Sequence, residues 1–145
     1  MTLFTIGFTK KSAEAFFTAL GAAGVGRIID IRLNNTSQLA AFAKRDDLIF
    51  FLREICAIDY VHRPDLAPPP EIFEAYKKHK GTWERFEEGD FKALMRQRRI
   101  ETALEPELLD QACLLCSEPT ADYCHRRLVG EYLVDQFSGL DLCHL

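Results

Sequence analysis

The stretch Ala112-Cys113-Leu114-Leu115-Cys116 is a short, uncharged apolar run that leads directly into a polar segment beginning at Ser117. A run of this length fits a β-strand. Four similar runs occur along the chain, and longer segments with helical spacing separate them. They cover residues 3–6, 27–31, 60–62 and 140–144. This alternation predicts βαβ units, and therefore a single doubly wound α/β domain over residues 1–145 with a mainly parallel sheet of about five strands and helices on both faces.

The composition excludes several classes of protein. The chain has 145 residues, of which 48% are hydrophobic and 28% charged, with a net charge of -4. These values argue against disorder and against general attraction to nucleic acid, and no apolar run approaches the ~20 residues of a membrane span. The start of the chain lacks the pattern of an export signal, and the five cysteines are an odd number. We therefore expect a cytoplasmic protein without a membrane partner, whose thiols are reduced.

The first helix has clear boundary signals. Ser12 is a suitable N-cap, Gly24 follows the end of the helix, and Phe16, Phe17 and Leu20 form its buried face. Further helices are predicted over residues 47–56, from Pro70 through Tyr76, from Thr82 through Met95, and from Asp122 as N-cap through Phe137.

Polar residues follow the predicted strands. The carboxyl ends of parallel strands share one edge of the sheet, and ligands of such folds bind at that edge. The sequence therefore predicts a site there. Its candidate residues are Gly7, Thr9, Asp30, Arg32, His62, Cys116 and Glu118.

The segment Cys124-His125-Arg126 is predicted to form the first turn of the last helix. Unpaired backbone N–H groups and the helix dipole favour negative charge at that position. We therefore expect Cys124 to have a lowered pKa and a reactive thiolate, and Arg126 to bind an anion such as phosphate. A packed cysteine beside a solvated arginine is the alternative interpretation.

Other candidates allow two interpretations each. Asp30 lies within an apolar strand, where it either forms a structural ion pair with Arg32 or serves as a base or as an orienting group for His62 or His125. Glu118 either serves as a catalytic acid or base, or interacts with the positive end of the last helix. Cys116, Cys124 and His125 could converge on a metal ion with His62 or His144, but the spacing is atypical, so no metal ligand is assigned and the cofactor is left unknown.

Three motifs together resemble the family known as domain of unknown function 488. They are Thr5-Ile6-Gly7-Phe8-Thr9, Asp30-Ile31-Arg32, and Cys116-Ser117-Glu118 leading to Cys124-His125-Arg126. The resemblance extends from the first strand to the end of the chain. It implies a parallel α/β fold with an active site at Asp30, Arg32 and the Cys-His-Arg segment, and it implies no particular reaction.

Three functions are compatible with these residues. The first is an enzyme that hydrolyses or transfers a group of a phosphate-bearing or nucleotide-like substrate, with Cys116, Cys124, His125, Asp30 or Glu118 in catalysis and with Gly7, Thr9, Arg32, His62 and Arg126 in binding. The second is a thiol redox or metal-responsive protein that uses Cys116 and Cys124. The third is a non-catalytic module that binds nucleic acid or a partner through Arg96, Arg98 and Arg99.

Overall fold

A computed structural model of the chain describes residues 1–69, 71, 89, 91–122 and 124–145, and one five-stranded sheet forms its centre. The strands are β1 (Thr2–Gly7), β2 (Arg27–Asp30), β3 (Asp59–His62), β4 (Ala112–Cys116) and β5 (Asp141–His144). Their order is β3-β2-β4-β1-β5, and all neighbouring strands are parallel. The predicted α/β fold class is confirmed.

Helices and short helical turns connect the strands. The α-helices are α1 (Ala13–Ala23), α2 (Arg45–Phe51), α3 (Lys92–Arg98), α4 (Pro106–Leu109) and α5 (His125–Gln136). A π-helical turn continues α2 over Leu52–Cys56, and 3-10 turns cover Gln38–Ala43, Pro64–Leu66 and Ile100–Thr102. In the described part of the chain, no helix combines the length and apolarity that crossing a membrane requires.

The boundaries of α1 are those that the sequence predicts. The Ser12 side chain accepts a hydrogen bond from the Ala15 N–H at 3.0 Å, which satisfies one of the free donors of the first turn. Gly24 ends the helix in the left-handed conformation, with φ of 74°. Phe16, Phe17 and Leu20 are all buried.

Two of the helix predictions need correction, and two others cannot be compared with the structure. Asp122 is not the N-cap of the last helix, because Cys124, whose backbone is extended (φ -127°, ψ 137°), takes that position. The helix predicted over residues 47–56 begins at Arg45 and changes to a π-helical turn over Leu52–Cys56, where Ile55 is 61% exposed. The predicted helices from Pro70 and from Thr82 lie mainly outside the described residues.

Apolar side chains cover both faces of the sheet, as successive residues of a strand point to opposite sides. On β4, Leu114 packs in the layer that contains α3 and α5, whereas Cys113 and Leu115 pack in the layer that contains α1 and α2. The sheet is therefore buried between two helical layers, and its polar edge lies at the carboxyl ends of the strands.

Candidate active site

A close contact between β1 and the loop after β4 shapes the site. Gly7 pairs with Cys116 at the ends of these neighbouring strands. A Cβ atom on Gly7 would lie only 1.6 Å from the Glu118 carbonyl oxygen, so no other residue fits there without displacing the loop. The Thr9 N–H also binds this loop, donating to the Ser117 carbonyl at 3.1 Å. Gly7 and Thr9, which the sequence predicts as ligand contacts, thus seat the loop that carries Glu118.

Cys116 and His125 form the chemical centre of the site. The Cys116 Sγ lies 3.5 Å from the His125 Nδ1. The same sulfur is 3.7 Å from the His125 Nε2, so it lies against the ring. The His125 Nε2 donates to the Ile31 carbonyl oxygen at 3.2 Å, which leaves the Nδ1 lone pair free to accept the thiol proton. A nucleophile, a base and a group that orients the base are therefore in contact, as nucleophilic catalysis requires.

The two site cysteines differ in acidity: the pKa of Cys116 is lowered and that of Cys124 is raised. The Cys124 thiol donates a hydrogen bond that lowers the pKa of Cys116, and the Ser117 backbone N–H and the Arg126 charge act in the same direction, against the effect of burial. The pKa of Cys124 is raised, because its thiol donates that bond and is buried. The prediction of a thiolate at Cys124 is therefore wrong. Cys124 precedes the helix, and Cys116 receives the stabilising donors.

Arg126 is completely buried, and its positive charge acts on the Cys116 thiol. Its Nη1 donates to the Glu118 carbonyl at 2.7 Å, and its Nε donates to the Thr5 hydroxyl at 3.2 Å. The Thr5 hydroxyl lies 2.6 Å from the His144 Nδ1. The Arg126 Nη2 has no hydrogen-bond partner among the described residues, so a buried cationic donor is available for an anion.

Asp30 and Arg32 form a buried ion pair at the end of β2. The guanidinium Nε and Nη2 of Arg32 each donate to one carboxylate oxygen of Asp30 at 2.8 Å, and the Tyr60 hydroxyl donates to the same carboxylate at 2.6 Å. Burial alone would raise the pKa of Asp30, but the hydrogen bonds from Arg32 and Tyr60 hold it below its usual value. The side chain is occupied, so the geometry favours the structural interpretation. The Ile31 carbonyl, and not Asp30, orients His125.

A second guanidinium nitrogen at this edge is also available. Arg32 is only 4% exposed, and its Nη1 has no hydrogen-bond partner among the described residues. The guanidinium carbon lies over the Phe8 ring, 5.2 Å from its centroid. The Arg32 carbonyl oxygen accepts a hydrogen bond from the His62 Nε2 at 2.7 Å. His62 therefore supports the backbone at Arg32 and lies outside the group formed by Cys116, Cys124 and His125.

Other residues near the site act through backbone or supporting contacts. The Glu118 side chain is exposed, and its contribution to the site is its backbone carbonyl. Thr5 and Tyr60 hold the arginine side chain and the carboxylate in place, but the sequence interpretation missed both; a hydroxyl within the apolar run of β1 is the one signal that points to Thr5. In the predicted basic patch, Arg98 is bound to the backbone carbonyl of Ala67 at 2.9 Å.

Among family models, the one described as "Domain of unknown function DUF488" matches the chain over residues 12–133. This span contains Asp30, Arg32, Cys116 and the segment from Cys124 to Arg126, and it leaves β1 and β5 outside. No curated protein and no solved structure matches the chain.

Proposed function

Because the chain belongs to the family described as domain of unknown function DUF488, whose description names no reaction, we propose a function from the chemistry of the site itself. The protein is an enzyme that hydrolyses, or transfers a group from, a small phosphate-bearing or nucleotide-like substrate. Cys116 is the nucleophile, His125 is the base, and Arg126 and Arg32 hold the anion.

The observation that carries this proposal is a pair of buried guanidinium nitrogens that have no hydrogen-bond partner among the described residues. One is the Nη2 of Arg126, whose charge acts on the Cys116 thiol, and the other is the Nη1 of Arg32 at the end of the neighbouring strand β2. A buried donor without a partner costs about 1–3 kcal/mol, and more when it is charged, so an oxyanion at this place would remove a real penalty. Each guanidinium offers one free nitrogen, so the two arginines would each give the anion a charge-assisted hydrogen bond.

In the proposed reaction, Cys116 is the nucleophile and His125 carries the proton. The Cys116 sulfur attacks phosphorus, an S–P bond forms, and the P–O bond to the leaving group breaks. His125 takes the thiol proton at Nδ1 and gives it to the leaving oxygen. A water molecule, or an acceptor hydroxyl for transfer, then attacks phosphorus and loses its proton to His125. The S–P bond breaks, and His125 returns that proton to the Cys116 sulfur.

A comparison of two alkylating reagents tests the anion site together with the thiol. Iodoacetate carries a carboxylate and iodoacetamide is its neutral analogue, so an anion-binding group beside the sulfur accelerates only the first. We expect the rate ratio of iodoacetate to iodoacetamide at Cys116 to exceed the ratio at the exposed Cys143 by about tenfold or more. A charged hydrogen bond contributes about 1.5–3 kcal/mol, and 1.4 kcal/mol is a factor of ten.

The reaction is run in a chelator, and modification is quantified at each cysteine by peptide mass spectrometry. Arg126→Lys keeps the positive charge but loses the planar fork, and it is expected to reduce the ratio at Cys116. Arg53→Lys alters an exposed arginine and serves as the matched control. Equal ratios at Cys116 and Cys143 in the unmodified protein would refute the proposal.

A further inference from the structure

We infer that Cys116, Cys124 and His125 form a binding site for a Zn²⁺ ion with one open coordination position. The sulfur atoms and one imidazole nitrogen of these residues all lie within 4.8 Å of one another. Two thiolates and one imidazole are a donor set that zinc prefers, and three protein ligands are typical of zinc sites that keep an exchangeable position. This inference depends on the geometry of the donors and stands whether or not Cys116 is a nucleophile.

The distance between Cys116 and His125 matches a tetrahedral zinc site. Zinc–sulfur and zinc–nitrogen bonds of about 2.3 and 2.05 Å, at a tetrahedral angle, place the two ligand atoms about 3.6 Å apart. The Cys116 Sγ and the His125 Nδ1 are 3.5 Å apart. The separation of the two atoms therefore fits a shared ion. A rotation of the ring, whose Nε2 is also 3.7 Å from the sulfur, would direct the Nδ1 lone pair at that ion.

The second ring nitrogen of His125 is also arranged as in metal sites. Histidine ligands generally donate their other N–H to a carboxylate or a backbone carbonyl, which fixes the ring and the tautomer. The His125 Nε2 donates to the Ile31 carbonyl at 3.2 Å, so Nδ1 carries the lone pair. Nδ1 is also the ring nitrogen nearer to the Cys116 sulfur, at 3.5 Å against 3.7 Å for Nε2.

A break in the backbone allows two adjacent residues to act together. In a regular strand, neighbouring side chains point to opposite faces, which makes Cys124 and His125 an unusual ligand pair. Here Cys124 is extended, with φ of -127° and ψ of 137°, and His125 begins α5. This change of conformation brings both side chains to Cys116.

Burial and charge are compatible with a zinc ion. Cys116 and Cys124 are 5% and 2% exposed. Two thiolates neutralise the ion, so the bound site adds no net charge next to the Arg126 guanidinium. The Arg126 Nη2, which has no hydrogen-bond partner among the described residues, would then be available to an anion or a water molecule. With zinc bound, the Cys116 sulfur is a ligand and no longer reacts as a free thiol.

A Co²⁺ titration tests this site, because cobalt replaces zinc and reports its ligands by absorption. Chelator-treated, reduced protein in deoxygenated buffer is expected to bind one Co²⁺ per chain. The spectrum should show thiolate charge-transfer bands and the intense visible bands of a tetrahedral ion, and Zn²⁺ should displace both. Cys116→Ser, Cys124→Ser and His125→Gln are each expected to weaken binding at least tenfold, whereas Cys143→Ser leaves it unchanged.

A second measurement needs no variant and so does not depend on whether a variant folds. In the unmodified protein, one equivalent of Zn²⁺ should protect Cys116 and Cys124 from alkylation and leave Cys143 reactive. The absence of charge-transfer bands, or equal protection of all cysteines, would overturn the zinc site. The alkylation ratio measured in chelator tests the proposed enzyme separately, so failure of one proposal is distinguishable from failure of the other.

Discussion

Replacement of Gly7 by alanine is expected to damage both the fold and the site. The new Cβ would lie 1.6 Å from the Glu118 carbonyl oxygen and 2.7 Å from its carbon, less than the ~3.5 Å of an ordinary contact. Because both atoms belong to the backbone, the loop after β4 must move away from β1. It would then lose the hydrogen bonds from Thr9 to Ser117 and from Arg126 to Glu118.

The magnitude follows from those bonds. A neutral hydrogen bond contributes about 0.5–1.5 kcal/mol and one from a charged donor about 1.5–3 kcal/mol, so we expect Gly7→Ala to lower the free energy of unfolding by about 2–4.5 kcal/mol. Urea denaturation measures this value. Gly21→Ala is the matched control, because a Cβ there contacts nothing within 4 Å and lies in a helix, and it should stabilise by about 0.5–1 kcal/mol. A Gly7→Ala protein within 0.5 kcal/mol of the unmodified chain would refute the reasoning.

Three further predictions concern stability. Asp30→Asn leaves the buried Arg32 without its counter-ion and should cost about 3–5 kcal/mol in urea denaturation, whereas equal stability would contradict a structural ion pair. Because the pKa of Asp30 is lowered in the folded protein, its ionised carboxylate contributes its full stabilisation of the fold above the unfolded pKa of about 3.9. This contribution is lost as the pH falls from that value through the lower pKa of the folded state. Tyr60→Phe should reduce this acid dependence, because it removes a hydrogen bond to the carboxylate. Ser12→Ala should cost about 1 kcal/mol through the lost N-cap, measured by thermal or urea unfolding, and an unchanged stability would show that the cap contributes nothing.

Local sequence patterns were sufficient to predict much of the fold. The run from Ala112 to Cys116 coincides with β4, because an uninterrupted apolar stretch between polar segments leaves few alternatives. The cap residues Ser12 and Gly24 define α1 through interactions within a few residues. The start of α5 was mispredicted, because Asp122 is a residue type that favours N-caps but lies in a turn, and the extended Cys124 takes the N-cap position.

The site was only partly predictable, since its chemistry depends on contacts between distant segments. The sequence brings Cys116, Cys124, His125 and Arg126 to one edge, as the structure also does. It could not reveal that the Ile31 backbone carbonyl orients His125, because a backbone group has no signature in the side chains. The order of the two thiol pKa values likewise depends on which sulfur receives the hydrogen bonds, and that is decided by tertiary geometry.

Binding of inorganic phosphate to the chelator-treated protein is the most direct test of the anion site at Arg126. Isothermal titration calorimetry, or ³¹P line broadening in NMR, measures the affinity and the number of sites. We expect one saturable site per chain, weakened about tenfold or more by Arg126→Lys and unchanged by Arg53→Lys, because the unpartnered Nη2 of Arg126 supplies a charged hydrogen bond. Unsaturable binding, or equal affinity in both variants, would contradict the assignment of this edge as the site of an oxyanion substrate.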